Sequence, residues 1–219
     1  MRTLKEKQNI SEVYFLDYFN NLIEGKKQRC SEIVKELLSQ KTDIKDVYTD
    51  LYQRSLYRVG KMWDEGSLTV AEEHAASQIT LELITSIKPK KSGKNKSVKK
   101  AIISCIDKEH HEIGALMVSN IFEFNGWDTK FLGASVPSKD LLKLIKSFKP
   151  ELVGLSFNLY LNLLRLLNVI EHIRKFFPEQ KIVIGGQAAR LEKDNILKQF
   201  PDILYFDSLH ELDSFIKNN

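Results

Sequence analysis

Two stretches of the 219-residue sequence gather side chains that can ligate a metal or grip a bulky polar ligand. The first is Asp107-Lys108-Glu109-His110-His111-Glu112-Ile113-Gly114, where two imidazoles stand among carboxylates. A neutral imidazole nitrogen is a good metal ligand, and its other ring N–H needs an acceptor that fixes the tautomer. Glu109, two residues before His111, can be that acceptor. The second stretch runs from Trp63 to Glu73-His74 and supplies an aromatic ring, a carboxylate and an imidazole. Gly154-Leu155-Ser156 and Gly185-Gly186-Gln187 add a hydroxyl and a bare glycine pair, which let a large ligand approach the backbone closely. The patterns G-x-x-x-x-G-K-[ST] and G-x-G-x-x-G are absent, so neither common nucleotide-phosphate site is expected. His110, His172 and His210 have no comparable neighbours and are assigned to the surface.

The elements that must position these residues fall into two halves. From residue 98 onward, short β-branched runs alternate with helical stretches. The runs are Ala101–Ile106, Thr129–Leu132, Leu152–Ser156, Ile182–Ile184 and Ile203–Phe206, and the helical stretches lie near 111–125, 138–148, 161–177, 190–199 and 208–217. Five strand–helix units imply a parallel, doubly wound sheet of Rossmann-like or flavodoxin-like type with helices on both faces. Ligands of such sheets bind beyond the C-terminal strand ends, which is where His111, Ser156 and Gly185-Gly186 fall.

Residues 1–87 read as four helices. Apolar residues recur at helical spacing in Tyr14-Phe15-Tyr18-Phe19-Leu22, in Ile33-Val34-Leu37-Leu38, in Val47-Leu51-Leu56-Val59 and in Val70-Ala75-Ile79-Leu83-Ile84-Ile87. Ser11 and Thr42 are expected N-caps, Thr69 with Glu72 forms a capping-box pattern, and Gly25 and Gly66 fall at breaks. Short connections predict an antiparallel bundle. Trp63 lies six residues before Thr69, and Glu73 and His74 lie four and five after it, so a helix hairpin brings the three to one end. On this segment alone, a core Trp beside a solvated acid and His is the simpler reading.

Composition sets outer limits. Hydrophobic residues make up 42% and charged residues 28% of the chain, enough to build a core and to exclude wholesale disorder. No apolar run is long enough for a membrane span, and the N-terminus has no apolar h-region, so no membrane contact or secretion is expected. Cys30 and Cys105 stand far apart in different apolar contexts, which fits free thiols and a cytoplasmic protein. The net charge of +4 becomes −3 without residues 88–100, which hold seven lysines and no acid. That Gly/Ser/Lys stretch reads as a linker between a bundle at 1–87 and a sheet domain at 101–219, and no direct nucleic-acid partner is expected.

Glu109-x-His111-x-x-Gly114, followed by Gly154-Leu155-Ser156 and then Gly185-Gly186, resembles the cobalamin-binding domain of methionine synthase, corrinoid methyltransferase proteins and cobalamin-dependent light sensors. The resemblance covers essentially all of residues 98–219. It implies that the histidine displaces the cofactor's dimethylbenzimidazole base and becomes the lower cobalt ligand, which here is His111. It implies a displaced nucleotide tail lined by Ser156 and passing Gly185 and Gly186. Glu112, Ile113, Gly114, Leu155 and Gln187 complete the implied binding set. Glu109 stands where many members carry aspartate, which alters the implied proton relay to the serine, and Tyr160 stands where a small hydroxyl residue often occurs.

Trp63, nine residues, then Glu73-His74 is similar to the W-x9-E-H signature of the cobalamin photoreceptors, which join a four-helix cap to the cobalamin domain. The resemblance implies that Trp63 packs against the 5′-deoxyadenosyl group, that Glu73 bonds its ribose, and that His74 takes the upper cobalt position after light breaks the Co–C bond. The cofactor expected is cobalamin, as adenosylcobalamin first and methylcobalamin second. The photoreceptor repressors carry a DNA-binding module before the cap. Here the cap is expected near residue 9, so output is expected through a regulatory partner or self-association. A non-enzymatic light-responsive regulator is the leading expectation, a methyl-carrying corrinoid subunit is the runner-up, and storage or chaperoning is third. A mutase is not expected, because no barrel is present to hold a substrate.

Overall fold

The computed structural model describes residues 9–87 and 98–218. The chain divides after Ile87 into two compact units, each with its own core. Most of the lysine-rich stretch assigned to a linker, 88–97, lies outside the described residues, and its last lysine, Lys100, opens the first strand of the second unit.

The first unit is a bundle of four helical rods. Helix α1 spans Glu12–Ile23 and α2 spans Lys27–Ser39. The third rod starts as α3, Ile44–Asp46, widens into a π-helical segment, Val47–Gln53, and continues as α4, Arg54–Asp64. Helix α5 spans Val70–Ser86. The π-helical turns carry Tyr48, Leu51 and Tyr52 into the core, where the Tyr52 ring lies 6.0 Å from Tyr48 and 5.8 Å from Tyr18. Phe15, Phe19, Leu22, Ile33, Leu37, Leu83 and Ile84 are among the residues that pack around them. Arg54 closes the side of the bundle, its guanidinium 3.5 Å from the Phe15 ring centroid and paired with both carboxylate oxygens of Glu12.

The connections follow the local chemistry. Gly25 and Gly66 take left-handed φ values of 71° and 73° at the breaks. Thr69 and Glu72 form a reciprocal capping box at the start of α5. Ser11 occupies the expected N-cap of α1, although its side chain makes no capping bond, and one expected cap is corrected. Thr42 is not the cap of the third rod: its N–H closes the end of α2 on Leu37 O, and Asp43 caps α3 by accepting from Lys45 N at 2.9 Å. Aspartate is the stronger N-cap, so the junction settles one residue later.

The second unit is a five-stranded sheet in the order β2-β1-β3-β4-β5, with every pair parallel. The strands are β1 Lys100–Cys105, β2 Asp128–Phe131, β3 Leu152–Ser156, β4 Lys181–Gly185 and β5 Leu204–Tyr205. The helices are α6 Ile113–Phe124, α7 Ser138–Phe148, α8 Leu163–Phe176 after a 3₁₀ turn at Tyr160–Asn162, α9 Gln187–Gln199 and α10 Leu209–Asn218. One face of the sheet, with Ile102, Val153, Leu155, Ile182 and Ile184, packs against Leu141, Ile145, Leu166, Ile170, Ile173 and Ile196 of α7, α8 and α9. Helix α6 packs against β1 and β2 and is joined to α10 by Asn125 Nδ2 donating to Asp213 Oδ1 at 2.7 Å.

The chain leaves β1 in one direction to β2 and returns past it to β3. That reversal opens the crevice in which parallel sheets bind ligands, at the C-terminal ends of β1 and β3. Register aligns Cys105, Ser156 and Gly185 as one row across the three central strand ends. Several expected limits shift. The strand expected over 203–206 is Leu204–Tyr205 alone, and the helix expected from residue 111 begins at Ile113, which leaves His111 in the preceding turn. The helix expected from 190 begins at Gln187, because Gly186 at φ 109° turns β4 straight into α9.

The two adjacent glycines of that turn are not equivalent. A Cβ on Gly186 would lie 2.1 Å from the Phe157 carbonyl oxygen, whereas a Cβ on Gly185 would meet nothing within 4 Å. Gly186→Ala combines a positive φ with a backbone clash and should lose about 3 kcal/mol in urea unfolding, against less than about 1 kcal/mol for Gly185→Ala.

Candidate functional site

The centre of the strand-end crevice is the Glu109 carboxylate, which is fully buried. Oε1 accepts from the His111 backbone N–H at 3.0 Å and lies 2.6 Å from His111 Nδ1. Oε2 accepts from the backbone N–H of Asn158 at 2.7 Å, the N–H of Leu159 at 3.1 Å and Nδ2 of Asn162 at 3.3 Å. Burial alone would push this carboxyl up. The donors from His111, Asn158 and Leu159 outweigh it and bring the pKa down to about 2. An ionised carboxylate only accepts, so His111 Nδ1 carries a proton, and in the neutral form of the ring the lone pair then lies on Nε2. The His111 side chain is 60% exposed, so a fixed imidazole stands at the mouth of the crevice.

The local sequence produces this geometry. Lys108 adopts a left-handed φ of 62°, which folds the chain back after β1 and turns Glu109 inward. Ser135 holds the outer side of the turn, its N–H donating to Glu109 O at 2.8 Å and its Oγ accepting from Lys108 N at 3.1 Å. Beneath His111, the Cys105 thiol lies 3.7 Å from the His111 carbonyl oxygen. Burial, reinforced by the charges of Glu109 and Glu112 and opposed by the Ser156 hydroxyl, pushes this thiol up to about 12, so it stays protonated and unreactive.

The structure brings most of the residues expected from sequence to this edge. Glu112 precedes α6, Ile113 and Gly114 form its first turn, and a Cβ at Gly114 would meet nothing within 4 Å. Ser156 ends β3 and is buried beside Cys105. Gln187 opens α9, and its N–H donates to Asn158 Oδ1 at 3.0 Å. Leu155 differs from the rest: its side chain belongs to the core under α7–α9, so only its backbone faces the strand end. The partner of the buried carboxylate is neither Ser156 nor Tyr160. Tyr160 is 63% exposed, and Asn162, two residues later and buried, bonds Glu109. Asn158 and Asn162 are therefore site residues that sequence reasoning missed. The available signal was two amides within the otherwise apolar run Phe157-Asn158-Leu159-Tyr160-Leu161-Asn162 directly after a strand end.

Trp63, Glu73 and His74 lie in the helical unit. Trp63 is in the last turn of α4, Glu73 and His74 are near the start of α5, and these helices pack together around the turn at Gly66. All three therefore share one end of the hairpin. Trp63 is 46% exposed, which is unusual for an indole with a core role. Glu73 Oε1 accepts from Ser77 Oγ at 2.8 Å, and Oε2 lies 3.5 Å from His74 Nε2. His110, His172 and His210 are exposed.

Among the described residues, no group of three or more His, Cys, Asp or Glu side chains is placed to hold a metal ion. The crevice offers one braced imidazole nitrogen and not a coordination cage, beside a strand end where glycines keep side-chain atoms away. Such a donor set suits a metal already held by a large macrocycle.

Fold and site together define a protein that binds a corrinoid. Residues 16–88 and 99–207 match two separate family models, each described as B12 binding domain, so the chain carries two B12-binding domains. It is 28% identical over 164 residues to the HTH-type transcriptional repressor CarH of Myxococcus xanthus, covering 74% of this chain and 54% of the repressor, so the chain spans about half of that relative. It is 22% identical over 172 residues to trimethylamine corrinoid protein 2 of Methanosarcina mazei, covering 76% of this chain and 79% of that protein. Its fold is similar to that of the Methanosarcina barkeri monomethylamine corrinoid protein, with a TM-score of 0.75, 16% identity, and 95% and 99% of the two chains covered. No helix among the described residues is long and apolar enough to cross a membrane.

The depressed pKa of Glu109 has a consequence for stability. Its stabilising effect is complete above the ordinary carboxyl value of 4.5 and fades as pH falls toward about 2. In denaturant titrations of the protein without cofactor between pH 6 and pH 2.5, wild type should lose on the order of 3 kcal/mol more than Glu109→Gln. Parallel losses in the two proteins would show that the carboxylate is not held by these donors.

Proposed function

We propose that the chain is a cobalamin-binding regulatory protein that responds to light with adenosylcobalamin bound, has no catalysis of its own and works in the cytoplasm. The observation that carries this reading is the half-exposed Trp63 on the same hairpin end as Glu73 and the exposed His74, in a chain whose sheet unit presents His111 on a buried carboxylate. When bound, cobalamin supplies a cobalt–carbon bond that visible light can break. His111 would supply an imidazole nitrogen to cobalt, with Glu109 keeping its Nδ1 protonated and its ring in place. Ser156 lines the nucleotide tail, and Gly185 and Gly186 leave room for it. On the helical unit, Trp63 would offer an apolar face to the cofactor's adenosyl group, Glu73 an acceptor for its ribose hydroxyls, and His74 a second imidazole for cobalt after illumination.

Because His74 lies in α5, a move of its side chain toward cobalt would displace that helix, and this displacement would be the signal passed to a partner protein or a second copy. A role without direct nucleic-acid contact is supported by the concentration of excess positive charge in the short stretch 88–100. Cys30 and Cys105, both buried and free, support a reducing compartment. A second reading, a corrinoid subunit that carries a methyl group between partner enzymes on methylcobalamin, is favoured by the 79% of the trimethylamine corrinoid protein that the chain covers, against 54% of the repressor.

The test loads wild type and His74→Ala with adenosylcobalamin in the dark and follows absorption and gel-filtration elution through green illumination. Wild type should keep its cobalamin, acquire a bis-imidazole spectrum and change its elution, while His74→Ala releases cobalamin on illumination. If the two proteins behave alike, the carrier reading replaces the sensor.

A further inference from the structure

The cobalamin reading leaves open what makes the lower-ligand turn and the glycine turn act together. We infer that Asn158 is a positioning residue that couples them, so that seating of the nucleotide tail at Gly185-Gly186 and presentation of the His111 imidazole reinforce one another. This inference rests on the assignment of cobalamin to the crevice.

Asn158 stands two residues beyond the end of β3, between the turns that follow β1 and β4. Its backbone N–H donates to Glu109 Oε2 at 2.7 Å. Its side-chain Nδ2 donates to the His111 carbonyl oxygen at 3.1 Å, and its Oδ1 accepts from the N–H of Gln187 at 3.0 Å. One planar amide thus joins the residue that carries the imidazole to the residue that follows the glycine pair. The orientation of the amide is set by its partners, because a carbonyl oxygen demands the NH₂ end and a backbone N–H demands the oxygen end. Asparagine provides both functions at this length. Aspartate provides acceptors only and would set a carboxylate against the His111 carbonyl oxygen.

The neighbouring contacts show why this link matters. The β3 and β4 turns are already held by Phe157 N–H donating to Gly185 O at 2.9 Å, and by the Gly186 backbone lying against that of Phe157. A tail that shifts the glycine turn therefore acts on the β3 turn, and the Asn158 amide transmits the shift to the main chain of His111. Asn162 provides the contrast. It touches Glu109 Oε2 and the Lys108 carbonyl oxygen on the lower-ligand side. Asn158 is half-buried and lies outside the apolar core, so its truncation opens no cavity there.

The experiment compares binding of cob(II)alamin and of cob(II)inamide, the corrin without the nucleotide tail, to wild type, Asn158→Ala, Asn158→Asp and Asn162→Ala. Native circular dichroism and near-wild-type melting establish folding, and the isosteric Asp variant serves if the Ala variant does not fold. With cob(II)inamide, nitrogen splitting in the paramagnetic-resonance spectrum can come only from the protein, and its loss in His111→Ala but not in His74→Ala assigns it to His111. Asn158→Ala should weaken cob(II)alamin about tenfold and cob(II)inamide about threefold, as expected for hydrogen bonds of ordinary strength, and should partly lose the nitrogen splitting. Asn158→Asp should do no better, and Asn162→Ala should weaken both ligands equally. Equal losses for the two ligands in Asn158→Ala would overturn the coupling, and so would a loss confined to cob(II)alamin with the cob(II)inamide splitting intact. Absence of nitrogen splitting in wild type would overturn the lower-ligand assignment and this inference with it.

Discussion

The second unit depends on one buried negative charge. A carboxylate withdrawn from water costs several kcal/mol unless its lone pairs are met, and Glu109 meets that cost with donors from two different turns. The bonds to Asn158, Leu159 and Asn162 bind the turn after β1 to the turn after β3. Those to His111 fix both the main chain and the ring of the imidazole. Replacing Glu109 by an apolar residue would release both turns, because the backbone N–H groups of Asn158 and Leu159 would lose their acceptor. The same charge sets the tautomer of His111, so one interaction serves the architecture and the candidate metal ligand together.

The sheet explains why this charge lies where it does. The order β2-β1-β3-β4-β5 makes the chain reverse at β1, so the turns after β1 and β3 diverge and leave a crevice between them. Cys105, Ser156 and Gly185 form the floor in one row, and Gly186 brings the β4 turn against Phe157. The helical unit is built on another principle. Its π-helical segment widens the third rod so that Tyr48 and Tyr52 reach the bundle interior together with Tyr18. Burial pushes the Tyr18 and Tyr52 hydroxyls upward in pKa, so neither titrates near neutrality and the interior carries no charge from them. A bundle filled this way keeps its hairpin end, with Trp63 and His74, clear of core packing.

The alternation of β-branched runs with helical stretches was sufficient to read a five-stranded parallel sheet, because strands buried on both faces are continuously apolar, as Leu152–Leu155 is. The motif Glu109-x-His111-x-x-Gly114 was legible because an imidazole and its carboxylate brace are close in sequence. Asn158 and Asn162 were not legible in their roles, since they act on residues 29 to 54 positions away, and only the registers of β1 against β3 and of β3 against β4 bring them together. The π-helical segment escaped the periodicity argument because so short a widened stretch leaves Val47, Leu51 and Val59 compatible with an ordinary helix. The two-residue β5 was overestimated because Ile203 and Phe206 are β-branched or aromatic yet lie outside the ladder, with Ile203 buried among the core residues.

The central claim is that the axial nitrogen of the bound cofactor comes from His111 as braced by Glu109. It is tested most directly by the paramagnetic-resonance spectrum of cob(II)alamin bound to protein in which histidine alone carries ¹⁵N. A ¹⁴N nucleus splits the cobalt lines into triplets and a ¹⁵N nucleus splits them into doublets. The account predicts doublets in the labelled protein and their loss in His111→Ala. Triplets that persist in the labelled wild-type complex would show that the cofactor keeps its own base, and would contradict it.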